Sequence, residues 1–309
     1  MVNKAAAVHR RKSKWQEPIA ASRPFRVFNT LLMILLTLLF LIPFLLVAIA
    51  SFTPEIEIAA KGFQFFPSEL TLYNYKYLFG ASDKFVRALF VTIFLTLIGT
   101  TNTLFFTSLG AYALSRKYLP YRKGLTFFVY LTMLVSGGLI PSYMVVRNLG
   151  MVDTLFALFV PGTIATWNLI IMRNSFMMQP ESLEESAKID GAGDFTIFFR
   201  IILPISKPII ATMIVYLAVG YWNEWFAPML YITRNKDMAT MQYLLREIFQ
   251  STSQSLSSKQ AMTMRADQLP PSQSVKMAAV MVTVVPILCV YPFLQKYFVH
   301  GIMIGAIKE

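Results

Sequence analysis

PESLEESAKIDGAGDFTIFFRIILPISKP, residues Pro180 to Pro208, is a polar, helix-capped stretch inside an otherwise apolar chain. Pro180 suits the first turn of a helix, where its missing N–H costs nothing. Glu181, Glu184 and Glu185 complement the positive end of the helix dipole. The helical pattern runs to Asp190, and Gly191 offers the left-handed conformation that closes such a helix. Asp194 suits the cap of a second short helix, which Pro204 and Pro208 bound on the far side. The stretch reads as a compact helix–Gly–helix knob, a place where something outside the membrane can grip the part inside it.

The membrane itself follows from composition. The 309 residues are 56% hydrophobic and 14% charged, too apolar and too charge-poor for a soluble domain. No charge occurs from Val27 to Pro54, Ala88 to Ser115, Gly124 to Val146, Thr154 to Met172, or Met277 to Gln295. A further run from Pro208 to Thr233 is interrupted only by Glu224. A helical crossing needs about 20 apolar residues, so the pattern predicts an all-α polytopic membrane protein with six transmembrane helices. Composition that is apolar on both faces excludes a barrel, which would alternate with a period of two.

The formal net charge of +12 is explained by topology rather than by nucleic acid. Up to Val27 the chain holds Lys4, Arg10, Arg11, Lys12, Lys14, Arg23 and Arg26 against Glu17 alone. The loop after the second run holds Arg116, Lys117, Arg122 and Lys123 with no acid. With alternating crossings both lie on one side, and the positive-inside rule makes that side cytoplasmic. The loop between the fifth and sixth runs falls outside although it carries six Lys or Arg; its length lowers its weight under that rule. Both termini are therefore expected in the cytoplasm.

The expected organisation is a basic cytoplasmic tail (residues 1–27) and a membrane domain (28–309). Within the latter lie a cytoplasmic loop (173–207) and an extracytoplasmic loop (233–276). Ala48-Ile49-Ala50 resembles a small-residue cleavage site, yet the apolar run before it is longer than a signal core of about 7 to 15 residues, so an uncleaved anchor is expected. Ser136-Gly137-Gly138 and Pro141 interrupt the third run, and Pro161-Gly162 the fourth; such residues are tolerated where neighbours pack closely or a cavity is lined. Cys289, the one cysteine, is expected as a buried structural thiol.

The knob carries a resemblance to a family. Glu185, Ser186 and Ala187, then three residues, Gly191, nine residues and Ile201-x-Leu203-Pro204 resemble the cytoplasmic loop of binding-protein-dependent ABC importer permeases. Spacing matches without a gap, and Ser186 is the one departure from Glu-Ala-Ala. YWNEWFAPMLYI (Tyr221 to Ile232) resembles the fifth-span sequence of the carbohydrate importers. YPFLQKYFVHGIMIGAIKE from Tyr291, with Gly301 and Gly305, resembles their closing segment, although Glu309 stands where Gly is usual. The similarity covers Phe28 to Ile307 and is greatest to the maltose-permease-type second subunit.

That resemblance implies the type I ABC importer permease fold in a bacterial cell membrane. It implies import of a carbohydrate, an oligosaccharide in particular, delivered by an extracytoplasmic solute-binding protein that meets the outer loop. It also implies a second, related permease chain and two ABC ATPase subunits that bind ATP and Mg; this chain is expected to hold no cofactor. The ATPase cleft would receive Glu185 as the electrostatic contact, Ser186 and Ala187 as close-packing positions, and Gly191 as the turn, with Asp190, Ile201, Leu203 and Pro204 completing the motif. The tail from Gly301 to Glu309 would reach back to the ATPases.

Candidates for the substrate path lie elsewhere. Glu224 interrupts a span, and an ionisable group there is expensive unless it faces a cavity or partner. Around it stand Tyr221, Trp222, Asn223 and Trp225, the mixture of flat apolar faces and hydrogen-bonding groups that a sugar needs. The alternative is an aromatic belt near the outer interface with Glu224 reaching to water. Trp167 and Asn168 are further candidates on the same grounds. No phosphate-cradling Gly-rich loop ending in Lys and Ser or Thr is present. His9 and His300 stand alone, so neither a zinc site nor a Ser-His-Asp grouping is expected. An enzyme is therefore not expected. An ion-coupled carrier would need more embedded carboxylates than Glu224, and a permease for a non-sugar solute is the nearer alternative.

Overall fold

The structure, a computed structural model, describes residues 22–80, 83–255 and 273–306. Most of the expected basic tail, residues 256–272 of the outer loop and the last three residues lie outside them. Among the described residues the regular elements are all helical.

Three helices are long and apolar enough to cross a membrane: α1 (Arg23–Ser51), α4 (Lys84–Ser115) and the Gln273–Val290 part of α15 (Gln273–Ala306). Between α1 and α4 lie α2 (Glu55–Lys61) and α3 (Tyr73–Gly80). The other three apolar runs are broken, the third and fourth at the Gly and Pro residues that interrupt them in the sequence. The third is α5 (Arg122–Leu134) and α6 (Leu139–Asn148), bent by 114°. The bend falls at Ser136-Gly137-Gly138, where Gly138 takes φ 87°, a conformation that costs most residues dearly and glycine little. The fourth divides into α7 (Phe156–Phe159) and α8 (Thr166–Met177) around Pro161-Gly162. The fifth is α12 (Lys207–Trp222), a break at Asn223 to Trp225, and α13 (Phe226–Tyr231).

The knob is α9 (Glu181–Ile189), α10 (Asp194–Ile197), a π-helical turn (Phe198–Ile202) and α11 (Leu203–Ile205), and Asp194–Ile205 meets α12 at 83°. Pro204 explains the π turn. It has no N–H for the carbonyl four residues back, so the ladder ahead of it widens. At the end of the bundle away from the knob, α14 (Met241–Ser255) packs against α4, α13 and α15.

α4 is the central rod and packs against α12 and α8. Its buried face runs Ala88, Thr92, Leu95, Gly99, Thr103, Thr107, Ala111 at steps of three or four, and small residues at that spacing let helix backbones approach closely. At Gly99 an added Cβ would lie 2.7 Å from the Tyr221 ring, so a larger residue there would clash with α12. An inner cluster (among it Tyr112, Met172, Phe176, Ala187, Phe198 and Met213) joins α4, α8, the knob and α12. An outer cluster, including Leu78, Phe85, Met241, Leu244 and Val275, joins α3, α4, α14 and α15.

α1 is exposed along its apolar length and becomes buried only at Ala50 and Ser51, which is stable in lipid and would not be in water. Cys289 is exposed on α15, correcting the expectation of a buried thiol: Val285, Leu288 and Val290 beside it are exposed as well.

Candidate functional site

The knob is closed by paired backbone bonds. After α9, the Gly191 N–H donates to Lys188 O at 3.0 Å and the Ala192 N–H to Ala187 O at 2.9 Å, with Gly191 at φ 80°. This is the Schellman closure, and it turns the chain from one arm of the knob into the other. Pro180 occupies the cap of α9 rather than its first turn. Gly193, not Asp194, holds the cap of α10. The Asp194 carboxylate instead accepts from the Tyr118 hydroxyl at 2.7 Å.

That contact belongs to a joint between the knob and the turn that follows α4. Arg116 and Glu184 form an ion pair with both side chains buried. Arg116 also donates to Ser115 Oγ at 2.9 Å and to Phe176 O at 3.2 Å. Lys188 Nζ lies 3.1 Å from Glu184 Oε1 and 3.6 Å above the Tyr118 ring, and Lys117 pairs with Glu181 at 2.6 Å. Burial alone would raise the Glu184 carboxyl, but the hydrogen bonds from Lys188 and Arg116 and the Arg116 charge outweigh it and hold the group below its ordinary 4.5. Glu184 therefore does more than complement the helix dipole.

Of the coupling candidates, Glu185, Ser186, Asp190 and Gly191 are exposed on the knob. Ala187 is not: it packs into the chain's own core, as Ile201 and Leu203 do in part, because it shares the inward face of α9 with Glu184. Pro204 is exposed. Two residues not singled out from sequence stand out on the tip, Ile189 at 86% and Phe195 at 73% exposure. Their signal was available: apolar side chains on a knob that is otherwise polar.

The second site is an open groove of about 860 Å³ beside the outer half of α12. It is lined by Val215, Tyr216, Tyr221, Asn223, Glu224 and Phe226, with Thr103 of α4 and Tyr231 of α13 contributing. The Tyr221 hydroxyl and Thr103 Oγ1 bond each other at 2.7 Å. Glu224 sits in the break after α12. Its Oε1 accepts from the N–H groups of Phe226 and Ala227 at 2.8 and 2.9 Å, satisfying orphan donors at the start of α13. Asn223 Oδ1 accepts from Gln242 of α14 at 3.1 Å.

Four path candidates are absent from the groove lining. Trp222 donates its indole N–H to Thr283 O at 3.1 Å and so faces α15. Trp225 lies under the Arg246 guanidinium, 3.6 Å from its ring centre. Asn168 is buried on α8 and Trp167 is exposed at its start. Aromatic density located the neighbourhood; which face each ring takes is settled by the helix break.

No family model matches the chain. It is 42% identical over 288 residues to protein LplC of Bacillus subtilis (strain 168), covering 93% of this chain and 96% of the relative. It is 41% identical to the polygalacturonan/rhamnogalacturonan transport system permease protein YtcP of the same organism, covering 92% and 99%. A bacterial ABC transporter involved in the import of the acidic polysaccharide alginate superposes with a TM-score of 0.76 at 27% identity, over 91% of this chain and all of that one. The chain belongs to the permease subunits of carbohydrate ABC importers.

This permease is thus a transport subunit and not an enzyme, and its helices are those of a membrane protein. The helix-Gly-helix motif and the groove lie at the two ends of one rod. α12 starts at Lys207, immediately after the knob, and its residues from Val215 to Tyr221 line the groove.

Proposed function

We propose that this permease forms one wall of an ATP-driven path for an oligosaccharide, with the groove as the wall and the knob as the handle on an ATPase subunit. The carrying observation is the continuity of α12. Its 16 residues span about 24 Å at 1.5 Å per residue, so a tilt imposed at Lys207 is felt at Tyr221. In this reading Glu185, Ser186, Gly191, Ile189 and Phe195 meet the ATPase, and Tyr221, Asn223 and Glu224 meet the sugar. One chain supplies an open groove rather than a closed channel, which suits pairing with a second permease. A solute-binding protein delivers the sugar at the outer end, near α14, and both termini lie in the cytoplasm. The carbohydrate assignment draws on the relatives, among them a polygalacturonan/rhamnogalacturonan permease.

The test is uptake by proteoliposomes holding the permease together with its co-purifying subunits and its binding protein. Enclosed ATP should support oligosaccharide accumulation, and an imposed sodium or proton gradient without ATP should not. Gradient-driven uptake with no ATP present refutes the proposal.

A further inference from the structure

We infer that Glu224 makes this wall of the path discriminate against rings that carry a carboxylate, so that the oligosaccharide segment passing it is neutral; the inference rests on the groove being the carbohydrate path proposed above. Glu224 is the one charged residue among the described residues that line the groove, and no Lys, Arg or His lines it. The two N–H groups on Oε1 hold its carboxylate in place, so it does not swing clear of a passing ligand. Oε2 is left to accept a hydrogen bond.

The other polar groups of the wall carry no charge. Thr103 and Tyr221 are bonded to each other. Asn223 accepts from Gln242 with Oδ1 and donates to Val219 O at 2.9 Å with Nδ2. Arg246 is taken up by the face of Trp225, outside the lining. A uronate is best held by charged donors, whereas the donors of this wall, the Tyr216 and Tyr231 hydroxyls and the second N–H of Asn223 among them, are neutral and stand beside a fixed carboxylate. A neutral pyranose matches the wall: hydroxyls donate to Oε2, and the flat C–H face lies on the Tyr216 and Phe226 rings.

The inference departs from what the relatives' names alone suggest, since polygalacturonan and alginate are acidic polymers. An acidic chain that used this path would have to turn its carboxylates toward another wall.

Galactotriose and galacturonotriose differ only in hydroxymethyl against carboxylate, which makes them the probe pair. Uptake of each is measured with the assembled transporter, and the acid-to-neutral ratio of kcat/KM is compared between wild type and variants. The binding protein's own preference enters every ratio equally and cancels. Glu224→Gln keeps the oxygen that accepts from Phe226 and Ala227 but removes the charge. It is expected to raise the ratio about tenfold, the like-charge penalty at close range in a partly hydrated groove. Asn223→Asp keeps the acceptor for Gln242 and adds a charge beside Glu224, so it should lower the ratio. An unmoved ratio in Glu224→Gln, or a rise in Asn223→Asp, overturns the inference. If Glu224→Gln does not assemble, as judged by co-purification of the ATPase, the Asn223→Asp ratio decides alone. Absence of uptake of both sugars by the wild type is a separate outcome, which removes the groove as a path for such oligosaccharides and this inference with it.

Discussion

Gly191 is where one residue carries the geometry of the whole knob. Its φ of 80° lies where an L side chain costs roughly 1–2 kcal/mol, and the two closing bonds depend on it. An added Cβ there meets no atom within 4 Å, so the cost of a substitution is conformational and not steric. Gly191→Val should therefore re-aim the tip that carries Ile189 and Phe195, lower co-purification of the ATPase and reduce uptake several-fold. Gly191→Asn, which tolerates the left-handed region better, should keep most of both. Equal losses in the two variants would point to contact with the ATPase surface instead of backbone conformation. This residue is legible in the chain because its signal is local: a helix pattern, then Gly, then a second pattern. Glu224 is not legible in the same way. Its interruption of an apolar run is plain, but its task, capping α13, exists only once the helix has broken at Asn223.

At the scale of elements, the Arg116–Glu184 pair welds α9 to the end of α4. The partners are 68 residues apart, which is why sequence shows Arg116 only as an inside-positive charge and Glu184 only as a dipole partner. Local patterns reveal helices and caps; a buried pair between distant elements becomes visible when the fold brings them together. Removing one partner of a buried pair costs about 3–5 kcal/mol, and here the low end applies, since Lys188 remains beside Glu184. Arg116→Met should lower the unfolding temperature in detergent, and adding Glu184→Leu should recover much of the loss, because a well-packed apolar pair carries no desolvation penalty. The pH dependence has a definite sign. A carboxyl held below its ordinary 4.5 contributes stability that is complete above that pH and is lost as pH falls through the lower, folded value. The wild type should thus weaken in acid below about pH 4.5, and Glu184→Gln should show a shallower acid limb. Identical acid limbs would remove Glu184 from the joint.

Over the whole molecule, α4 and α12 run side by side from knob to groove. The joint at Arg116 feeds the first, and the turn at Ser206 between α11 and α12 feeds the second. In the proposed mechanism motion at the knob would reach the groove along these two rods, which meet where Gly99 approaches the Tyr221 ring. Such a lever works only if knob and groove mouth face opposite sides of the membrane, and the proposal puts the knob toward the cytoplasm on the positive charge of the Arg116 to Lys123 turn. Two exposed positions test the arrangement, Phe195 on the knob and Phe66 between α2 and α3, at 73% and 91% exposure. Cys289 is exposed as well, so it is first replaced by alanine. In intact cells a membrane-impermeant maleimide should label Phe66→Cys and leave Phe195→Cys untouched. In inside-out vesicles the pattern should reverse. Labelling of Phe195→Cys from outside would put the handle beyond the reach of any cytoplasmic ATPase, and neither rod could then deliver ATP-driven movement to the groove.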